Sequence, residues 1–232
     1  MAEMFDTIAP RYDLVNRVMT LGLDQGWRRA TIDALALPSG SVVVDLACGT
    51  GDFGRLAARR GHRVLGVDLS FGMLAANQAP EPLVQTDASA LPLADAVADG
   101  IVCGYALRNF TDLAASLVEC GRVLRPGGRI AVLEVAAPPS GLLRLGHSVW
   151  FERVVPVLGG LLSDAEAYRY LPRSTVYLPA PDALRGLFAA AGFSTVGRRL
   201  LHGGLSQLLT ATRAGRPGAP PAAARRRSVG AR

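Results

Sequence analysis

The segment Val42–Gly54, VVVDLACGTGDFG, gathers residue types that can receive a nucleotide-like ligand. Gly49, Gly51 and Gly54 satisfy GxGxxG between an apolar run and a helix-like stretch. Without a Cβ at Gly49 and Gly51, the chain can turn tightly and bring its backbone against a ligand. The N–H groups that open the following helix can then receive an acceptor. A dinucleotide pyrophosphate meets that description, so the glycines alone leave the ligand open.

Three acids narrow the choice. Asp45 lies four residues before Gly49, where a carboxylate repels a pyrophosphate but can hold an ammonium. Asp68 closes the next apolar run and is placed to accept hydrogen bonds from two ribose hydroxyls. Asp87 follows the third run and can accept from an adenine amino group while the Ala88 N–H donates to the ring. Any one of them could simply cap a helix. Together, at the carboxyl ends of consecutive strands, they stand where a doubly wound sheet holds its ligand. A ligand with a cationic amino-acid end and an adenosine end, S-adenosylmethionine, answers both the glycines and the acids.

The elements that must position these residues follow from the hydropathy pattern. SVVVDL (41–46) is a short β-branched apolar run, as expected of a strand buried on both faces. The same character returns at 63–68, 82–85, 99–104 and 129–135, with helix-like stretches at 52–60, 71–77 and 111–124 between the runs. This alternation predicts βαβ units, right-handed crossovers and a parallel sheet of the α/β class. Near the end, a helical stretch over 182–191 stops at Gly192, and runs 193–201 and 205–212 flank His202-Gly203-Gly204 as a hairpin. Residues 1–37 read as a helical cap with Asp13 or Asn16 as possible helix caps. Residues 138–181 read as a helical lid insertion whose segment 142–162 is an amphipathic helix. That helix either covers the sheet, or acts as a lid on an apolar substrate or a surface that rests on a bilayer.

Composition removes several classes. The chain has 232 residues, is half apolar and carries a net charge of +6, with arginine as its only cation besides histidine. Five arginines and no acid fall in 214–232, which leaves 20 cations against 19 anions in 1–213. The basic character therefore belongs to a Pro/Ala/Arg tail that reads as a disordered end, and nucleic acid is not the expected partner. No run is long and apolar enough for a membrane span, and no secretory signal opens the sequence. Cys48, Cys103 and Cys120 lack ligand spacing and suit a reducing cytosol, and the three histidines form no metal-binding pair.

At this point the chain resembles class I S-adenosylmethionine-dependent methyltransferases over nearly all of 1–213. Four further stretches are similar to the ubiquinone/menaquinone biosynthesis C-methyltransferase family (UbiE/MenG type). They are Met4–Arg29 with Tyr12, Asp13, Asn16 and Trp27; Leu107-Arg108-Asn109 with Asp112; 122–128 through Glu134; and 168–174 (YRYLPRS) with Leu178-Pro179. Departures are Thr20 for the usual Ser, Asp24 where many members have His, Ala136 for Ser, and Gly104 where Ser is frequent.

The resemblance implies a Rossmann-like, doubly wound, mostly parallel sheet of about seven strands ending in an antiparallel hairpin. It also implies methylation of a ring carbon of a prenylated quinol, demethylmenaquinol to menaquinol foremost, with S-adenosylmethionine as cofactor. Cofactor contacts are expected at Asp45, Gly49, Thr50, Gly51, Asp68, Asp87, Ala88 and Gly104. Arg108 is the polar candidate for stabilising a phenolate or orienting a water, or else it braces a turn with Asn109. Asn109, Tyr168 and Tyr170 are candidate substrate contacts, the tyrosines alternatively packing the lid, and His147 is a possible proton acceptor. A prenylated substrate implies peripheral membrane contact without insertion, at the inner face of the membrane. The alternatives are a methyltransferase for a soluble aromatic metabolite, a nicotinamide-dependent oxidoreductase and a non-catalytic cofactor-binding module.

Overall fold

The computed structural model describes residues 2–9, 12–139, 141–150, 153 and 177–215. Its strands are β1 (Val42–Leu46), β2 (Arg63–Asp68), β3 (Leu83–Gln85), β4 (Ala98–Gly104), β5 (Leu124–Val135), β6 (Phe193–Leu201) and β7 (Ser206–Arg213). They form one 7-stranded sheet in the order β3-β2-β1-β4-β5-β7-β6. β1 pairs in parallel with β2 and with β4, and the parallel pairing continues to β3 on one side and β5 on the other. β7 is antiparallel to both β5 and β6, so the reversed strand lies one place in from the edge. The hairpin expected from the sequence is present, closed by a 3-10 turn at His202–Gly204.

Period-two alternation along the strands builds two apolar layers. Val44, Leu46, Ile101, Cys103, Ile130, Val132 and Leu209 face the layer that includes Leu117, Cys120, Leu184 and Phe188. Those four come from helices α6 (Leu113–Val123) and α8 (Pro181–Ala190). Val43, Val102, Ala131, Leu133 and Leu208 face the opposite way, against Trp27, Ile32 and Leu35 of α3 (Asp24–Leu35) and Phe53 and Ala57 of α4 (Asp52–Arg59). Local chemistry fixes the helix ends: Ser70 accepts from the Met73 N–H to cap α5 (Phe71–Ala75), and Asp112 accepts from the Ala115 N–H to cap α6. Pro181 opens α8, and Gly192, at φ +82°, follows its end.

The N-terminal segment is helical, as expected, in α1 (Ala2–Ile8), α2 (Tyr12–Met19) and α3. Neither Asp13 nor Asn16 caps a helix, however, because both lie inside α2. Asp13 sits in its first turn, where a carboxylate favours the positive end of the helix dipole. In the lid segment the described residues are 138–139, 141–150 with α7 (Gly141–Val149), 153 and 177–181, so most of 150–162 lies outside them. Among the described residues, no helix is long and apolar enough to cross a membrane.

Candidate active site

The sheet reverses its winding between β1 and β4, and a cavity opens there at the carboxyl ends of the strands, as doubly wound topology dictates. Gly49, Thr50, Asp68, Asp87, Ala88, Gly104 and Asn109 all line it. Asp68 organises the glycine loop: its Oδ2 accepts from the Gly49 N–H at 2.8 Å and its Oδ1 from the Ser70 N–H at 2.9 Å. Burial raises the Asp68 pKa against those hydrogen bonds. Asp87 receives the Ser89 N–H and hydroxyl on one oxygen, Oδ1, and these bonds lower its pKa. A Cβ added at Gly49 would meet only Met73 Sδ at 3.9 Å, so this stretch of wall is bare backbone open to a ligand. Thr50 donates its hydroxyl to Asp13 Oδ1 at 2.5 Å, tying α2 to the loop.

Two expected contacts lie elsewhere. Asp45 is fully buried behind the loop, where its Oδ2 accepts from the Gly54 N–H at 2.8 Å. It is absent from the cavity wall and spends Oδ2 on the loop that it anchors. Burial, then the neighbouring Glu81 carboxylate, raises its pKa strongly, and its Oδ1 has no hydrogen-bond partner among the described residues. Gly51 is also off the wall. Its φ of +88° and its closeness to Asn77 Oδ1, 2.3 Å from an added Cβ, make it a turn glycine. At Gly104 an added Cβ would fall 2.3 Å from Phe53 Cε2, so the Phe53 ring occupies the space that a side chain there would need.

A second cavity, about 230 Å³ against about 120 Å³ for the first, shares Tyr12, Arg28 and Tyr105 with it. Its wall comes from α2, α3, α7 and the β7 hairpin, and includes Met19, Leu21, Leu23, Trp27, Val135, Trp150 and Leu205. Arg108 faces this cavity and not the first. Its Nη1 donates to the Tyr105 carbonyl at 2.8 Å and to Glu134 Oε1, a fully buried carboxylate. The arginine is thus a neutralised brace at the cavity wall. His147 also lines the cavity, and burial lowers its pKa. Tyr168 and Tyr170 lie outside the described residues. Trp27 donates its Nε1–H to His202 Nδ1 at 2.6 Å, and Trp150 donates to the Met19 carbonyl at 3.0 Å.

The model of the ubiE/COQ5 methyltransferase family matches residues 1–213. The chain belongs to that family. It is 44% identical over 201 residues to the demethylmenaquinone methyltransferase of Thermus thermophilus (82% of this chain, 91% of the other). It is 39% identical over 219 residues to the ubiquinone/menaquinone biosynthesis C-methyltransferase UbiE of Syntrophotalea carbinolica (90% and 92%). A SAM-dependent methyltransferase from Thermotoga maritima shares the fold, with a TM-score of 0.62 at 21% identity over 92% of this chain and 100% of that one.

This ubiE/COQ5 methyltransferase thus has two adjoining cavities with Tyr12, Arg28 and Tyr105 between them. Sequence reasoning found most of the first and, apart from Arg108 and His147, missed the second. Asp24, Trp27, Arg28, Tyr105 and Leu205 come from elements far apart in the sequence, as does His202, 175 residues from its partner Trp27, and no local spacing links them. One signal was available: Thr20 and Asp24, two of the departures from the family pattern, both line this cavity and hydrogen-bond to each other at 3.0 Å.

Proposed function

We propose that this methyltransferase carries a methyl group from S-adenosylmethionine to a ring carbon of a prenylated quinol, demethylmenaquinol to menaquinol. The observation that carries the reading is the apolar second cavity joined to the acid-lined first through Tyr12, Arg28 and Tyr105. The relatives named for demethylmenaquinone methylation agree with it. Residues 1–213 act as one unit, with 1–37 as its cap and 138–181 as its lid.

The first cavity fits the cofactor. Asp68 would hold the ribose hydroxyls, Asp87 and Ala88 the adenine, and the bare backbone at Gly49 with Thr50 and Gly104 the amino-acid end. The bound cofactor supplies a methyl group already activated on a cationic sulfur, which leaves the protein to align and desolvate the acceptor. Trp27, Trp150, Met19, Leu21 and Leu23 exclude water from the acceptor ring. Asn109, on the wall of the first cavity, orients the ring from the donor side. Arg108 keeps the Tyr105 backbone in place between the two cavities.

The prenyl tail needs an exit, and the surface around the second cavity provides an apolar one. Leu21 is 73% exposed, and Leu142 and Leu145 on α7 are 88% and 64% exposed. This patch supports peripheral contact with the inner face of a membrane. Trp150, bound to the Met19 carbonyl, belongs to the cavity and not to that patch.

The deciding assay uses purified protein, labelled methyl donor, and reduced demethylmenaquinone beside a reduced ubiquinone precursor. Label is expected in the former, with the oxidised quinone inert because its ring carbon is electron-poor. Label in a short soluble phenol alone would overturn the reading.

A further inference from the structure

Arg28 is a buried cation with unspent hydrogen-bonding capacity. The residue is 6% exposed and lines both cavities. Its Nε lies 3.4 Å from Asp24 Oδ2 and 3.3 Å from Asp52 Oδ2, and its guanidinium carbon stands 5.2 Å from the Phe53 ring centre and 5.8 Å from that of Tyr105. Among the described residues, no hydrogen bond is made by Nη1 or Nη2. A guanidinium carries five N–H donors, and the two terminal nitrogens are not among the buried polar atoms left without a partner, so they open onto the cavities, where a ligand oxygen can take the place of water. Two aromatic faces and two carboxylates fix the group, so it is preorganised for that ligand.

The neighbouring charges agree. Asp24 on α3 and Asp52 on α4 anchor the Nε edge, while Tyr12 on α2 and Tyr105 after β4 are the other titratable groups around it. Burial opposes the charge, and Asp52 foremost more than offsets it, so the arginine pKa stands above its usual value. Asp52 is also held by Arg55, and Asp24 by the Thr20 hydroxyl and Gln25. Around the second cavity, Arg108 is spent on Glu134 and His147 has its pKa lowered.

We propose that Arg28 binds the acceptor: its terminal N–H groups donate to a hydroxyl oxygen of the ring and hold that oxygen as the phenolate. The hydroxyl proton passes to water as the oxygen is seated. The inference rests on the quinol reading for the identity of the acceptor but not for its test. The probe is 4-nitro-1-naphthol, whose phenolate absorbs visible light, titrated over pH with the full chain. Its bound pKa is expected to fall by about one to three units in the wild type. The shift should vanish in Arg28→Gln and, should the single variant unfold, in the double variant Asp24→Asn/Arg28→Gln, which removes the charge of Asp24 as well and leaves Asp52 paired with Arg55. In parallel, kcat/KM for the quinol is expected to drop about a hundredfold in Arg28→Gln, with its acidic limb moved to higher pH. An unchanged bound pKa in the folded variants, or a wild type that does not bind the naphtholate, overturns the assignment. A wild type that shifts the probe through Arg28 yet leaves the quinol unmethylated overturns the quinol reading alone.

Discussion

The two cavities are built by opposite means. The donor cavity is made by strand ends and a glycine loop, where backbone geometry sets the shape and Asp68 and Asp87 sit at the carboxyl ends of adjacent strands. The acceptor cavity is made by side chains from three helices and a hairpin, held by single hydrogen bonds such as Trp27 to His202 and Trp150 to Met19. A frame fixed by the sheet suits a ligand that is always the same. Walls made of helix side chains can vary with the acceptor while the frame stays put.

Breaking the donor side should have the largest effect. Asp68→Ala removes the acceptor for the Gly49 and Ser70 N–H groups as well as the proposed ribose contact. At roughly 1.5–3 kcal/mol per hydrogen bond to a charged group, adenosylhomocysteine binding measured by calorimetry is expected to weaken at least a hundredfold. Gly104→Ser comes next: it drives a side chain into Phe53, and overpacking of this kind costs about 1–3 kcal/mol. It is read as a lower Tm and a higher KM for the donor.

Changes at the acceptor mouth should be milder. Leu142→Ser with Leu145→Ser is expected to reduce co-sedimentation with anionic liposomes several-fold while leaving adenosylhomocysteine affinity intact. The smallest effect is expected at Asp45. Burial raises its folded pKa, so its contribution is favourable below the unfolded carboxylate value, near 3.9, and is lost as pH rises through the folded one. Asp45→Asn keeps an acceptor for the Gly54 N–H. It should therefore be at least as stable as wild type at about pH 8 by thermal unfolding, the two converging towards about pH 5.

The same contrast explains what the sequence disclosed. β1 and its neighbours are legible because continuous β-branched runs have few other places to go, and the acids that end them inherit positions from the topology. Asp45 lies behind the loop and off the cavity wall, a side that spacing alone does not show. Trp27 stands out in the sequence only as part of the family resemblance, and Arg28 looks like an ordinary position of an amphipathic helix. Their meaning appears only when α3 packs beside Tyr105 and the His202 turn, contacts that depend on tertiary packing and leave no local period. Arg108 drew attention through its motif, and only the structure reveals that Glu134 already takes its charge.

The central claim is that donor and acceptor occupy neighbouring cavities at the same time. The chain contains two tryptophans, Trp27 and Trp150, and both line the second cavity. Protein saturated with adenosylhomocysteine can therefore be titrated with a short-chain menaquinone while intrinsic fluorescence is followed. The account predicts saturable quenching with the adenosylhomocysteine still bound. Displacement of adenosylhomocysteine by the quinone, or fluorescence that does not respond, would contradict it.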